Sequence, residues 1–195
     1  RSITANFLID THTLTVSSSR GFGEPADGLY VYDYGSEVSC AVTNAVVTMG
    51  GTQQICSGWI GSGSVINGSG TNSGLFTLSE DSAIVWQWQN YRYWLNTGTS
   101  GAGSVSVADA WYGVGANVVI TAGPAANHHF TAWSGDINGC TIGGAAIIVP
   151  MTTPRLIVAN FEIDPQTLTV VSPFGEGQPP IGTNTYGYGD LVSCG

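Results

Sequence analysis

Hydrophobic and polar residues alternate along several short stretches of the chain. The alternation is clearest in four segments bounded by Gly, Asn, Pro or Ser clusters typical of turns: Thr13–Val16, Ile84–Trp88, Ser104–Val107 and Val118–Thr121. Because successive side chains of a strand point to opposite faces, this pattern predicts short strands with one buried face. Glycine is abundant and lysine is absent, which disfavours helix. The sequence therefore predicts a mainly β fold with little helix.

A long repeat organises the chain. Residues 1–41 return as residues 155–195 with a constant offset of 154, no gap, and 22 of 41 positions identical. The chain is thus a tandem-repeat protein, and repeat arrays commonly serve reach, spacing and surface display rather than catalysis.

The repeat unit is itself double, because aligning Trp59 with Trp133 also aligns Gly35–Val38 with Gly115–Val118 and Ile84–Trp88 with Ile157–Phe161. The predicted pieces are the last strand of a preceding repeat (1–11), a first module (12–90), a second module (91–164) and an incomplete third module (165–195).

The alignment also predicts core anchors. Two tryptophans at equivalent positions of the modules should be buried, together with three aromatic residues at inward positions of the terminal strands: Trp59, Trp133, Phe7, Trp88 and Phe161.

Cys40 and Cys56 align with Ile120 and Phe130, which are large apolar residues of the second module. We infer that the two positions face each other and expect a disulfide there. It would close a loop of about 15 residues and contribute roughly 3 kcal/mol. Two buried, reduced cysteines are the alternative. Cys194 occupies the position equivalent to Cys40. The sequence leaves three states for Cys194 and Cys140: free thiols, a Cys140–Cys194 bond, or a bond to another chain.

The ends of the chain do not coincide with module boundaries. Either the chain is an excerpt of a longer protein, or it is a protomer of a filament whose neighbours exchange strands through an exposed edge.

Several motifs resemble the divergent InlB B-repeat family. They are Trp111–Gly115, Val118–Pro124, Phe130–Asp136 and Ile157–Phe161 in the second module, and Val38–Cys40, Gly51–Cys56 and Phe76–Ser82 in the first, which resembles a disulfide-bearing variant. The resemblance implies small β-rich, β-grasp-like units in very large secreted or surface proteins of bacteria, acting as stalks, spacers or adhesive arrays. The family has no shared catalytic residue.

Other chemistry has little support in the sequence. His128–His129 lacks further ligands at zinc spacing, the acidic residues form no calcium loop, and no nucleophile motif is present. We therefore expect no enzyme activity, no metal and no cofactor. A net charge of −9 disfavours nucleic acid, and no apolar run is long enough to span a membrane.

The densest aromatic cluster spans Trp86 to Trp94. Its first part aligns with core positions, whereas Tyr91, Tyr93 and Trp94 lie at the predicted module junction and are the best candidates for contact with a glycan.

Together these observations predict a structural array, extracellular or on the cell surface, whose partners are neighbouring repeats or identical subunits. A filament protomer and a glycan-binding adhesin module are the alternatives.

Overall fold

The structure is a computed structural model that describes residues 1–43 and 45–194. The described residues form strands, turns and loops, with no helix among them, so the predicted mainly β fold is confirmed. Within this part of the chain no helix is therefore long and apolar enough to cross a bilayer. Contacts divide the chain into two compact units, Arg1–Arg92 and Tyr93–Gly195.

The strands of the first unit are β1 (Thr11–Ser18), β2 (Gly23–Glu24), β3 (Gly28–Asp33), β4 (Glu37–Val42), β5 (Val46–Met49), β6 (Thr52–Ser62), β7 (Gly68–Ser69) and β8 (Asn72–Thr77). β9 (Ser82–Ser100) gives residues 82–92 to the first unit and residues 93–100 to the second. The strands after it are β10 (Gly103–Val105), β11 (Ala110–Gly113), β12 (Asn117–Pro124), β13 (His128–Gly135), β14 (Thr141–Gly143), β15 (Ala146–Pro150), β16 (Arg155–Ile163), β17 (Pro165–Val170) and β18 (Gly182–Gly187).

Each unit contains a larger and a smaller sheet. In the first unit the larger sheet has the order β3-β1-β9-β6, with β5 and β7 added to β6, and the smaller is β2-β4-β8. In the second unit the larger sheet has the order β11-β9-β16-β13, and the smaller is β10-β12-β15-β14. β1 pairs in parallel with β9 in the first, and β9 pairs in parallel with β16 in the second. The two units therefore share one strand order.

A turn repeats in detail between the units. Gly35 N–H donates to the carbonyl of Leu78 at 2.8 Å, and Gly115 N–H donates to that of Met151 at 2.9 Å. The two glycines have φ of +82° and +79°, a left-handed conformation that suits glycine best. Leu78 and Met151 are completely buried. The shared turn anchors the same core position in both units.

Inward residues of the two sheets form one core in each unit. The first is built from β1, β4, β6 and β9, with Leu14, Cys40, Ile84 and Trp86 at its centre. The second combines Leu95 with residues of β12, β13, β15 and β16. Trp59, Trp133 and Phe161 are buried in these cores, whereas Trp88 is half-buried against the first.

Phe7, predicted to be a core anchor, lies at the surface. Residues 1–10 lie outside any strand, and the Phe7 side chain is 91% exposed. The equivalent Phe161 is buried because β16 pairs with β9 and β13. Residues 1–10 join no sheet of this kind, so Phe7 is exposed here, and its core position, which concerns a preceding repeat, stays a prediction.

The last described segment is a two-stranded antiparallel hairpin of β17 and β18. It copies β1 and β3 at the offset of 154: Tyr34 N–H donates to Asp10 O at 2.7 Å, and Tyr188 N–H donates to Asp164 O at 3.2 Å.

Candidate functional site

The aromatic cluster along β9 divides between interior and surface. Trp86 is 2% exposed in the first core and packs against Trp59 with ring centroids 5.5 Å apart. Tyr93 is 7% exposed and belongs to the second core. Its prediction as a glycan contact is therefore wrong, since strand alternation turns Tyr93 inward together with Leu95.

Tyr91 and Trp94 remain accessible. Tyr91 is 41% exposed, and the guanidinium carbon of Arg92 lies 4.9 Å from the centre of its ring. Trp94 lies on the face of the larger sheet opposite the second core, because its neighbours Tyr93 and Leu95 point inward.

Trp94 forms a pair that the sequence did not indicate. Its ring lies 5.3 Å from that of Trp111 on β11, edge to face at an interplanar angle of 61°. Both indoles are half-buried. Trp111 precedes Tyr112, which packs on the core, so alternation along β11 could have placed it on the outer face.

The outer face beside this pair is mostly uncharged, and the exposed Glu162 lies on the same face at the end of β16. Outward positions of β9 and β16 hold Asn96, Gly98, Leu156, Val158 and Asn160, and Asn96 lies beside Leu156 in the parallel register. Asn96 is exposed, and no hydrogen bond of its side chain is seen among the described residues. Two indoles and an amide therefore share one accessible face.

The four cysteines are free thiols. The predicted Cys40–Cys56 disulfide is therefore absent and that prediction is corrected. Cys40 is fully buried on β4, and burial raises its pKa to about 11. The Cys56 thiol on β6 lies 3.6 Å from the carbonyl oxygens of Gly58 and of Gly70. Each sulfur is thus accommodated as a small core side chain, and that of Cys56 is directed to the backbone.

The other two cysteines differ in exposure. Cys194 is exposed and Cys140 is half-buried. Burial raises the pKa of Cys140, and the nearby positive charge of Arg155 offsets part of that rise.

Arg155 is a buried cation that the sequence reasoning missed. It is 9% exposed at the start of β16. Its guanidinium donates to the carbonyl oxygens of Asp136 at 2.6 Å, Asn138 at 2.8 Å and Pro150 at 3.1 Å. The sequence did contain a signal for this role: the chain has only four arginines and no lysine, and Arg155 recurs at the repeat offset as Arg1. These bonds give Arg155 a structural role.

Acidic side chains brace the backbone in several places. Asp81 accepts a hydrogen bond from Thr13 N–H at 2.8 Å, which lowers the pKa of its carboxyl group. Asp109 accepts from Thr97 N–H at 2.7 Å, and Asp136 accepts from Leu156 N–H at 2.8 Å. The described residues contain no cluster of three His, Cys, Asp or Glu side chains able to hold a metal.

Comparison with curated proteins and with solved structures gave no significant match. A family model does match: that of the divergent InlB B-repeat domain, over residues 93–165. For the second module, this match confirms the family resemblance that its motifs carry.

Proposed function

We propose that the chain is a non-catalytic repeat array of a large secreted or surface-anchored bacterial protein, in which it acts as a stalk or spacer. The observation that carries the proposal is the repetition of one strand order and one turn in two consecutive units. A unit that recurs in this way extends a protein by addition of copies. The partners of each unit are then neighbouring repeats.

Composition supports an extracellular setting for this role. The net charge of −9, with only four arginines and no lysine, favours solubility and offers trypsin few cleavage sites. The resemblance to InlB B-repeats also leads us to place the chain in a bacterial surface protein.

The length of arrays tests the proposal. Chains carrying one, two and four copies of residues 11–164 would be compared by electron microscopy and small-angle X-ray scattering under non-reducing conditions. A stalk requires the maximum dimension to rise in proportion to the copy number. Compact particles, whose size grows only with the cube root of mass, would contradict the stalk. Regular filaments of the single chain would favour the filament protomer.

A second candidate function is binding of neutral glycans by the outer face of the second unit. The Trp94–Trp111 pair supports it, because indole faces stack on the apolar faces of sugar rings and Asn96 can bond their hydroxyl groups. The outward positions of β9 and β16 close to the pair are uncharged, Glu162 at the end of β16 is acidic, and the chain carries net negative charge, which suits an uncharged polysaccharide.

Affinity electrophoresis in gels containing soluble neutral polysaccharides would test this candidate. Trp94→Leu and Trp111→Leu should abolish any retardation, since leucine keeps apolar area but removes the ring. Leu156→Ala, on the same face, is the matched control and should leave retardation unchanged. Loss with Leu156→Ala as well would indicate non-specific hydrophobic adhesion, and no retardation of the native chain would eliminate the candidate.

A further inference from the structure

The first and last strands of each module are direct neighbours and run parallel. In the first unit Leu14 to Ser18 of β1 pair with Ser82 to Trp86 of β9. In the second unit Leu95 to Ser100 of β9 pair with Arg155 to Asn160 of β16. The module thus begins and ends on the same pair of strands.

This pairing determines how a pulling force acts. Tension along the chain enters a module at the amino end of its first strand and leaves at the carboxyl end of its last strand. Because the strands are parallel, these two points lie at opposite ends of the pair. The force therefore slides one strand along the other and loads all the hydrogen bonds between them together. Two strands pulled apart from the same end would instead lose their bonds one at a time.

Packing opposes the sliding motion as well. Leu14, Val16 and Ile84 are at most 1% exposed on the inward face of the first pair. Leu95 and Ile157 are fully buried on that of the second. A slip by one residue would turn these side chains to the opposite face, so the strands cannot move past each other without opening the core.

Each parallel pair is also shielded at its sides. β3 and β6 flank the pair in the first unit, and β11 and β13 flank it in the second. Its hydrogen bonds therefore lie inside the sheet rather than at an edge, where water would compete for them.

We propose that each module is a shear clamp, a force-bearing unit that resists tension along the chain through its central parallel strands. The proposal deepens the stalk function and rests on it, because only a tether held at both ends experiences such tension.

Single-molecule force spectroscopy in two pulling geometries tests the clamp. Both chains carry Cys140→Ser and Cys194→Ser, so that handles attach only where intended. The first geometry pulls from the two ends of the chain and loads both parallel pairs in shear once the β17–β18 hairpin has opened. The second pulls from the amino end and from a handle at an exposed position, Thr153→Cys, just before β16. That position and Tyr93 lie at the same end of the β9–β16 pair, so this geometry unzips it.

The first module is the internal reference, because it is sheared in both geometries. Opening of residues 11–92 frees a contour length of about 280 Å at ~3.4 Å per residue, against about 240 Å for residues 93–164 pulled end to end and about 210 Å up to the Thr153 handle. We expect the second module to open at a several-fold lower force in the second geometry, with the force for the first module unchanged.

Equal opening forces for the second module in the two geometries would overturn the clamp. This outcome is separable from failure of the stalk, which concerns the length of arrays. An extended array whose modules open at low force would support the stalk function and contradict the clamp. Compact particles whose modules resist force would support the clamp and contradict the stalk function.

Discussion

The Nη1 atom of Arg155 donates a hydrogen bond to the carbonyl oxygen of Asp136 at 2.6 Å. The same nitrogen donates to the carbonyl of Asn138, so one buried cation joins the start of β16 to the loop that follows β13. A buried polar group that loses its partner costs free energy in proportion to its desolvation. We therefore expect the stability of the second unit to depend strongly on the Arg155 side chain.

Replacing Arg155 should destabilise the second unit selectively. Arg155→Met keeps much of the side-chain volume but deprives the loop carbonyls of their donor, which we expect to lower the free energy of unfolding by about 3 kcal/mol. Urea titration with hydrogen–deuterium exchange of peptides from residues 93–164 would measure the change.

Arg1 provides the matched control, since it occupies the equivalent position of the repeat and is exposed. Arg1→Met should leave exchange unchanged. A second unit that is as stable in the Arg155→Met variant as in the native chain would show that the loop does not need the guanidinium.

A close approach between Gly68 and Trp59 gives a second prediction. A Cβ atom at Gly68 would lie 2.1 Å from Cζ2 of the Trp59 ring. Trp59 is 8% exposed, and its Nε1–H donates to Ile66 O at 2.8 Å, so the ring cannot move without loss of packing and a hydrogen bond. Gly68→Ala should lower the free energy of unfolding of the first unit by about 1–3 kcal/mol, and with it the melting temperature.

Gly143 is the control for that substitution, because a Cβ atom there meets no atom within 4 Å. Gly143→Ala should leave the melting temperature nearly unchanged. Similar melting temperatures for the two variants would show that Trp59 adapts to the extra carbon.

The sequence contained the information for the strands and for the repeated turn. Alternation predicts which residues of β1, β9 and β12 face inward, and the alignment of Trp59 with Trp133 reflects equivalent core positions. Tyr93 shows the limit of that reasoning: its place in the alignment puts it at a module junction, although the alternation through Leu95 directs it to the core.

Features that depend on pairing between distant strands could not be derived in this way. The parallel register of β9 with β16 and the contact of Trp94 with Trp111 join residues that no local pattern relates. The expectation of a Cys40–Cys56 bond rests on the alignment of these cysteines with Ile120 and Phe130 of the second module. A bond also requires the two sulfur atoms to meet, and the structure directs the Cys56 thiol to the carbonyls of Gly58 and Gly70.

Thiol accessibility provides a third prediction. In the folded chain the exposed Cys194 should react rapidly with a maleimide and the half-buried Cys140 slowly, whereas Cys40 and Cys56 should react only after unfolding. Mass spectrometry of the labelled chain, with and without denaturant and without prior reduction, would count the modified cysteines. Because no disulfide supports the fold, reductant should not shift the melting temperature. Binding of only two labels by the unfolded chain, or a lower melting temperature in reductant, would show that the chain contains a disulfide.

The buried thiol of Cys40 predicts a loss of stability at alkaline pH. Burial raises its pKa from 9.0 to about 11, so folding favours the protonated, neutral form. That contribution is fully present below pH 9 and is lost as the pH rises through about 11. Urea unfolding of the first unit between about pH 8 and pH 11 should therefore show a decreasing free energy.

Tyr32 must be separated from this effect, because its pKa is also raised, mainly by burial and further by Cys40 and Tyr30. Cys40→Ala should lower stability at neutral pH through the cavity it leaves, yet flatten the decline above about pH 9. Tyr32→Phe should remove only the tyrosine's share and retain the decline due to the thiol. If the slope in Cys40→Ala equals that of the native chain, the thiol has the same pKa in the folded and unfolded states, and Tyr32 accounts for the alkaline sensitivity.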